Sequence, residues 1–192
     1  MTSFPATRWP VRTERLALRP AAVADLPSVF AYRRLAAVSE WLPTHPSDEH
    51  AFVERLRQPE RLAATYVLEL GGTLIGDLYL AVEDAVAQVE VTARARATTA
   101  EIGWALDPAF TGQGYATEAA AELLRLAFED LGVRRVVAQC FADNTPSWRL
   151  MERLGMRRES STRAASLHRS GRWLDGVGYG ILAEEWRRRA DA

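Results

Sequence analysis

The sequence has few of the features that mark nucleic-acid-binding, secreted or membrane proteins. Its 24 basic side chains are matched by 25 acidic ones, and this near-zero net charge argues against a surface built to bind nucleic acid. The single cysteine, Cys140, cannot form an internal disulfide, and its apolar surroundings VVAQCF indicate a buried, unreactive thiol in a reducing cytoplasm. No apolar run approaches the roughly 18 residues of a membrane span, and the N-terminus lacks an apolar signal segment. We therefore expect a cytoplasmic protein with no membrane or nucleic-acid partner.

The chain also lacks internal repeats and low-complexity tracts. At 192 residues it is long enough for one sizeable core and short for two, which predicts a single α/β or α+β domain over residues 1–192. We expect residues 1–12 to form a flexible N-terminal segment.

Hydrophobic periodicity predicts alternating strands and helices in the first half of the chain. A strand over 15–20 is followed by a helix over 24–38, for which Asp25 is the candidate N-cap. A second helix begins at 47–49 and lasts to about Gln58.

A hairpin signal follows. Two apolar strands separated by Gly71 and Gly72 predict a β-hairpin over 64–82. Residues 83–99 either extend that hairpin or form a loop, and their end favours a loop.

In the second half, a strand over 100–107 leads into a helix that begins near Tyr115. A mostly buried strand over 133–141 comes next, so strand, helix and strand predict a right-handed parallel crossover. A short helix over 143–155 and two antiparallel strands around Gly171 complete the pattern, ending in a closing turn.

The connection between the strand and the helix of that crossover carries the strongest functional signal. In DPAFTGQGYATEAA, residues 107–120, Gly112 and Gly114 lack a Cβ, so backbone N–H groups can approach a ligand from one side. The helix that follows adds its first-turn N–H groups and the positive end of its dipole. The segment is therefore a candidate cradle for a pyrophosphate. Taken alone, the pattern is more often an ordinary strand–turn–helix corner.

Four segments favour the pyrophosphate interpretation: TERLALRP, AEIGWALDPAFTGQGYATEA, FADNTPSWRLMERLGM and GRWLDGVGYGILAEEW. In this order and spacing they resemble the GNAT N-acetyltransferases, in particular the bacterial branch of ribosomal-protein N-terminal acetyltransferases (RimJ- and RimL-like). The resemblance spans nearly the whole chain. It implies an α/β (α+β) fold with a mixed central sheet of about seven strands, flanked by helices, in which two central parallel strands splay apart.

The resemblance also implies that acetyl-CoA is the cosubstrate and that no metal is required. Asn144 matches the asparagine that reaches the pantetheine, unless it serves only as a helix cap, and Arg153 matches a basic position facing the phosphates. The family has Gln or Arg where this chain has Ala109, a small departure because backbone N–H groups form the cradle. The implied acetyl-CoA contacts are Trp104, Ala105, Leu106, Gly112, Gln113, Gly114, Tyr115, Ala116, Thr117, Asn144, Ser147 and Arg153.

The implied reaction is attack of a primary amine on the thioester, which needs a neutral amine and a stabilised thiolate. Glu101, at the start of the strand that would carry the acetyl group, is the candidate base, acting through water; a structural carboxylate is the alternative. Many relatives place a thiolate-protonating tyrosine where this chain has Met151. Ser147 is then the candidate donor to the thiolate, or only a helix residue that contacts the cofactor.

The acceptor is expected to be a primary amine, most simply a protein or peptide N-terminus, with a small-molecule amine as the alternative. The alternative from another functional class is a module that binds acetyl-CoA without catalysing transfer. Loops over 38–47 and 83–99 would shape the acceptor pocket. The candidate pocket residues are Trp41, His45, Asp77 and Tyr79.

Relatives are often dimers, and the strand GVGYGIL with Trp173 and Trp186 is a candidate homodimer interface, with core packing as the alternative.

Overall fold

The structure is a computed structural model that describes residues 9–190. Its strands are β1 (Val11–Arg12), β2 (Leu16–Pro20), β3 (Thr65–Leu70), β4 (Thr73–Glu83), β5 (Thr99–Leu106), β6 (Arg135–Phe141), β7 (Arg157–Leu167) and β8 (Trp173–Leu182). Its α-helices are α1 (Leu26–Arg33), α2 (Ala36–Ser39), α3 (Glu49–Leu56), α4 (Pro59–Ala63), α5 (Thr92–Ala95), α6 (Tyr115–Arg125), α7 (Thr145–Arg153) and α8 (Ala183–Ala190).

Within residues 9–190, the strands form one eight-stranded sheet in the order β1-β2-β3-β4-β5-β6-β8-β7. The sheet is mixed and flanked by helices, which confirms the predicted α/β class, with eight strands where about seven were expected. The chain divides into two compact units: an N-terminal unit of residues 9–80 and 103–122, and a C-terminal unit of residues 81–102 and 123–190.

The N-terminal unit contains an antiparallel meander. β2 pairs with β3 through Leu18 and Leu68, and the hairpin predicted between β3 and β4 is present. Its turn residues Gly71 and Gly72 have φ values of +58° and +86°, which glycine adopts without the steric cost of a Cβ.

The edge of this meander is the two-residue strand β1, which pairs with Leu18 and Ala17 of β2. Residues 1–8 of the segment expected to be flexible lie outside the described residues. Val11 and Arg12, at the end of that segment, form β1.

The helix predicted over 24–38 is divided into α1 and α2. Leu35 adopts an extended conformation, with φ −68° and ψ +134°, and this ends α1 and starts α2. Asp25 stands at the N-cap position of α1, but its side chain makes no cap hydrogen bond to that helix. Instead its carboxylate accepts from the backbone N–H of Ala22 at 2.7 Å and pairs with Arg19 at 2.7 Å. A local ion pair therefore replaces the predicted cap.

The C-terminal unit contains the parallel crossover predicted from the sequence. β5 pairs in parallel with β6 from Thr99↔Arg135 to Glu101↔Val137, at the first three residues of β5. β6 then pairs antiparallel with β8, and β8 with β7 around Gly171, whose φ is +82°. Such short parallel pairing is the feature that splayed strands require.

Two segments of the C-terminal unit differ from the prediction. Within 83–99, the predicted loop contains a 3-10 turn over Val89–Val91 and the helix α5, and a hydrogen bond of 2.9 Å from Ala85 N–H to Ala95 O closes it. The predicted closing turn after β8 is the helix α8, whose Trp186 ring packs on Phe128 at 5.4 Å between centroids. Aromatic burial by Trp186 supports a helix that composition alone did not indicate.

The core of the N-terminal unit lies between α1, α3 and the sheet. Ala105 of β5 belongs to it, so this segment of β5 is anchored by apolar packing. The buried members of this core are Ala21, Leu26, Val29, Phe30, Tyr32, Phe52, Leu56, Val67 and Ala105.

A close backbone approach between β4 and β5 makes Gly76 sensitive to substitution. A Cβ built on Gly76 would lie 2.6 Å from the backbone oxygen of Ala105, a distance that forces the strand to move. We expect Gly76→Ala to lower the free energy of unfolding by about 1–3 kcal/mol, the usual cost of overpacking. Urea unfolding measures this change.

Gly103→Ala is the matched control on the same pair of strands. Its added Cβ would lie 3.6 Å from the Cβ of Tyr79, an ordinary van der Waals contact. We expect the control to be neutral or slightly stabilising, because alanine loses less backbone entropy on folding than glycine. Equal destabilisation by both substitutions would contradict the close-approach argument.

Candidate functional site

The glycine turn predicted from the sequence is present in the N-terminal unit. After β5, the Asp107 carboxylate accepts a 2.9 Å hydrogen bond from Ala109 N–H and caps a 3-10 turn over Pro108–Phe110. Gly112 and Gly114 then adopt φ values of +76° and +85°, and α6 begins at the next residue. Both glycines use a left-handed conformation that other residues adopt at a cost.

The space over this turn is open on the side where side chains would project. A Cβ built on Gly112 would meet nothing within 4 Å, and one built on Gly114 would meet only the Arg15 guanidinium, at 3.4 Å. Gln113 is exposed, whereas Tyr115 is buried and Ala116 and Thr117 are half-buried. A glycine nest at the start of an 11-residue helix is suited to bind an anion such as a pyrophosphate.

The predicted strand contacts Trp104, Ala105 and Leu106 lie immediately before the turn. Ala105 is buried in the core, while Trp104 and Leu106 alternate with it and are half-buried.

The C-terminal unit holds the other predicted cofactor residues at the start of α7. Asn144 occupies the N-cap position, yet within residues 9–190 its side chain makes no cap hydrogen bond to α7. The helix-cap alternative is therefore not realised. Arg153, in the last turn of α7, is exposed.

Ser147 lies in the first turn of α7 beside Cys140. Burial raises the pKa of the Cys140 thiol, while hydrogen bonds with the Ser147 hydroxyl and the Trp148 N–H act in the opposite direction. Half-burial and a raised pKa agree with the predicted unreactive thiol. Met151, in place of the family's tyrosine, is fully buried and supplies no proton donor.

Glu101, the predicted base, is a carboxylate whose pKa is raised by its surroundings. It is half-buried on β5, and the Gln139 amide donates to it at a long 3.5 Å. Burial raises the pKa of Glu101, the nearby Glu83 carboxylate raises it further, and the Gln139 amide opposes the change. A raised pKa makes this carboxylate a stronger proton acceptor than an exposed glutamate.

Asp77, predicted as a pocket residue, is buried in the interior of the N-terminal unit. It is 1% exposed, accepts a 2.5 Å hydrogen bond from the Tyr32 hydroxyl, and forms a close ion pair with Arg33. Burial and the Asp77 charge together raise the pKa of Tyr32. Sequence reasoning missed both partners, because an ion pair between a helix and a distant strand has no periodic signature.

The remaining predicted pocket residues are more accessible. Tyr79 is 39% exposed on β4, and Trp41 is half-buried in the loop over 38–47. His45, in the same loop, is exposed and its Nδ1 lies 2.6 Å from the hydroxyl of the buried Ser39. His45 therefore faces a hydroxyl partner there rather than a carboxylate that would strengthen it as a base.

One residue that sequence reasoning did not select lies directly on the glycine turn. Arg15 binds Glu118 of α6, donates to the Gln113 carbonyl oxygen at 2.9 Å and stacks on Tyr115. The sequence contains a signal that could have indicated Arg15, because this residue belongs to the segment TERLALRP that carried part of the resemblance.

The family assignment agrees with this geometry. Residues 15–157 match the family described as Acetyltransferase (GNAT) domain, which is well over half of the chain. The chain belongs to the GNAT acetyltransferases. It is therefore a transferase of the acetyl-CoA-dependent kind, and the glycine turn and the segment before α7 lie within the matched residues.

Individual GNAT proteins are similar along most of their length. The uncharacterized N-acetyltransferase YnaD of Bacillus subtilis is 29% identical over 183 residues, covering 92% of this chain and 98% of YnaD. The crystal structure of a GNAT-family acetyltransferase from Bacillus anthracis is 30% identical with a TM-score of 0.76, covering 91% of this chain and 98% of that one. Mycobacterium smegmatis RimJ, solved in complex with CoA-disulfide, is 25% identical with a TM-score of 0.71, covering 88% and 83%.

Two further findings concern metals and membranes. In the part of the chain that the structure describes, no group of three His, Cys, Asp or Glu side chains is arranged to hold a metal ion. Among the helices of residues 9–190, none combines the length and the apolar character needed to cross a membrane.

The buried Asp77–Arg33 pair yields a stability prediction. Asp77→Asn would leave the mostly buried Arg33 guanidinium without its charge partner, so we expect the free energy of unfolding to fall by about 3–5 kcal/mol. The matched control is Glu54→Gln, which breaks the exposed Arg57–Glu54 pair on a helix surface and should change it by less than about 1 kcal/mol. Chemical denaturation of both variants checks the difference, and similar small effects would refute a structural role for Asp77.

Proposed function

We propose that this GNAT enzyme transfers the acetyl group of acetyl-CoA to the α-amine of a protein or peptide N-terminus. The resemblance of four segments to the RimJ- and RimL-like N-terminal acetyltransferase branch supports this acceptor class, and a RimJ is among the similar solved structures. The observation that carries the proposal is the half-buried Glu101 carboxylate of the C-terminal unit, whose pKa is raised by burial and by Glu83.

The choice of acceptor follows from what a single carboxylate can do. Deprotonating a lysine-like amine with a pKa near 10.4 costs roughly 4.6 kcal/mol at pH 7, whereas an α-amine near 8 costs only about 1 kcal/mol. Burial and Glu83 raise the pKa of Glu101, whereas Nδ1 of His45 and Nδ1 of His168 lie against the hydroxyls of Ser39 and Ser170. A modest base of this kind is sufficient for an α-amine.

The residues present fit acetyl-CoA, whose thioester supplies the acetyl group when it is bound. The open turn at Gly112 and Gly114 would hold the pyrophosphate, and the backbone of 104–106 would hold the pantetheine. In the C-terminal unit the Asn144 side chain makes no cap hydrogen bond to α7, and the family resemblance assigns it a contact with the pantetheine.

Ser147 is proposed to donate a hydrogen bond to the departing thiolate. The Ser147 hydroxyl forms a hydrogen bond with the Cys140 thiol that opposes the rise in the pKa of Cys140, and a serine hydroxyl is able to donate to a thiolate. Ser147→Ala should lower kcat by about 10-fold, a smaller loss than removal of a base.

A screen of amine acceptors with acetyl-CoA tests the proposal. Short peptides with free N-termini are compared with the same peptides Nα-blocked but carrying lysine, and with polyamines, amino acids and aminoglycosides. The enzyme itself contains no lysine, so acetylation of its own side chains cannot be mistaken for transfer to the lysine of a peptide acceptor. Faster acetylation of free N-termini, read by mass spectrometry, is the expected result.

Two other outcomes would reject the proposal in distinguishable ways. Preferential acetylation of a small amine would replace the acceptor and keep the enzyme class. Coenzyme A binding without transfer to any acceptor would instead indicate a binding module.

The pyrophosphate position yields a prediction with a matched control. Gly114→Val places a branched side chain at φ +85° beside the turn, so we expect coenzyme A affinity to fall at least ~10-fold. Gly171→Val imposes the same kind of backbone strain at φ +82° in the β7–β8 turn, where an added Cβ meets nothing within 4 Å. Calorimetric titration should show wild-type affinity for the Gly171 variant, and equal losses would argue against the turn as the binding element.

The role of Glu101 yields a kinetic prediction. Glu101→Gln should lower kcat by roughly 100-fold or more with little change in coenzyme A affinity, because general-base catalysis is typically worth 10²–10⁴. The loss should shrink as pH rises, since more of the amine then arrives neutral. Steady-state rates across pH measure both effects.

Glu83→Gln is the companion variant for this test. The Glu83 charge raises the pKa of Glu101, so its removal should lower that pKa and move the acidic limb of the kcat/KM profile to lower pH. A loss of coenzyme A affinity in Glu101→Gln, with no pH-dependent loss of rate, would make the carboxylate structural.

We also propose that the protein is a cytoplasmic homodimer. Trp186 packs on Phe128 within its own chain, which leaves Trp173, 61% exposed, as the aromatic candidate for an interface. Solution mass at micromolar concentration measures the oligomeric state.

A further inference from the structure

The segment before β2 is hydrogen-bonded to the first turn of α6 through the Glu118 carboxylate. The Glu118 carboxylate receives donors on both oxygens: the Thr13 hydroxyl and the Arg15 backbone N–H on Oε1, at 2.5 and 2.9 Å, and the Arg15 guanidinium on Oε2, with Nε and Nη2 both at 2.7 Å. Thr13 is itself fixed, because its hydroxyl accepts from Leu16 N–H at 3.1 Å. All of these residues belong to the N-terminal unit.

This arrangement keeps Glu118 ionised. Burial alone would raise the pKa of Glu118, but hydrogen bonds from Thr13 and Arg15 outweigh burial and lower it. An ionised carboxylate in the first turn of α6 would repel an anion bound at that helix end, and the Arg15 charge neutralises it.

The same guanidinium continues beyond Glu118 onto the glycine turn. Its Nη1 donates to the Gln113 carbonyl oxygen at 2.9 Å, and its carbon lies 4.6 Å from the centre of the Tyr115 ring. An added Cβ on Gly114 would lie 3.4 Å from Nη2. Arg15 therefore contacts Gln113 and Tyr115 and lies beside Gly114 between them.

Holding the Gln113 carbonyl has a direct consequence for the next amide. In a trans peptide the C=O and the following N–H point in opposite directions. When Arg15 fixes the Gln113 oxygen on its own side, the Gly114 N–H is directed to the other side. Glycine at φ +85° would otherwise be free to rotate this peptide.

We propose that Arg15 is a positioning residue for coenzyme A binding: it neutralises Glu118 and orients the Gln113–Gly114 peptide so that its N–H faces the pyrophosphate. This inference rests on the proposed use of the glycine turn for acetyl-CoA. Thr13 and Glu118 act with Arg15 by holding its guanidinium in place.

The test compares Arg15→Ala with Arg19→Ala. Arg19, in β2, also forms two ion pairs at 2.7 Å, one with Asp25 and one with Glu69. Both of these partners lie outside the glycine turn. Both substitutions remove a paired arginine, so both lower stability. Only Arg15→Ala should weaken coenzyme A binding, by about 10-fold or more, measured by calorimetric titration.

Kinetics separate positioning from general damage. In Arg15→Ala the KM for acetyl-CoA should rise about 10-fold, while kcat and the KM for the amine stay within about 3-fold of wild type. With S-acetylpantetheine, which has the thioester and no pyrophosphate, the variant should match the wild type.

Two further variants separate the neutralisation of Glu118 from the hydrogen bond to Gln113. They also replace Arg15→Ala if that variant does not fold. Arg15→Lys keeps a charge for Glu118 but lacks the fork that also reaches Gln113, so we expect partial rescue. Adding Glu118→Gln to Arg15→Ala removes the unpaired carboxylate and should recover part of the affinity.

An Arg15→Ala affinity equal to that of Arg19→Ala, or an equal loss with S-acetylpantetheine, would overturn the inference alone. Absence of coenzyme A binding by the unaltered chain would overturn the proposed function and this inference together.

Discussion

The constraint on which the rest of the structure depends is the backbone conformation between β5 and α6. The chain must change from extended strand to helix within a few residues. Gly112 and Gly114 meet this requirement at positive φ, where other residues are strained by roughly 1–2 kcal/mol each. The flanking contacts of Asp107 and Arg15 then select one of the many conformations that glycine allows.

Three carboxylates show how tertiary environment divides similar side chains among different tasks. Asp77 is buried against Arg33 and Tyr32, and Glu118 is surrounded by donors from Thr13 and Arg15, so both have structural partners. Glu101 instead has one long hydrogen bond and a raised pKa. A base must accept a proton, and a raised pKa favours this, which is why Glu101 is the proposed base.

Most of the architecture could be predicted from the sequence because it follows from local rules. The β3–β4 hairpin is encoded by Gly71–Gly72, and the helix α7 by Pro146 in its first turn and Gly155 after its end. Two predictions were wrong. The helix α8 replaces a closing turn, and its Trp186 packs on Phe128, a partner outside the window that periodicity examines. The extended backbone of Leu35 interrupts a helix that periodicity made continuous.

By itself, the sequence determined the family, the fold class and the position of the glycine turn, because motif order and glycine chemistry are properties of the chain. Only the tertiary structure decided which charges are neutralised: that Asp77 belongs to Arg33, and that Arg15 reaches Gln113 and Glu118 about a hundred residues away. The physical reason is that an ion pair depends on the separation of two groups in space, and sequence separation does not specify that distance until the chain has folded.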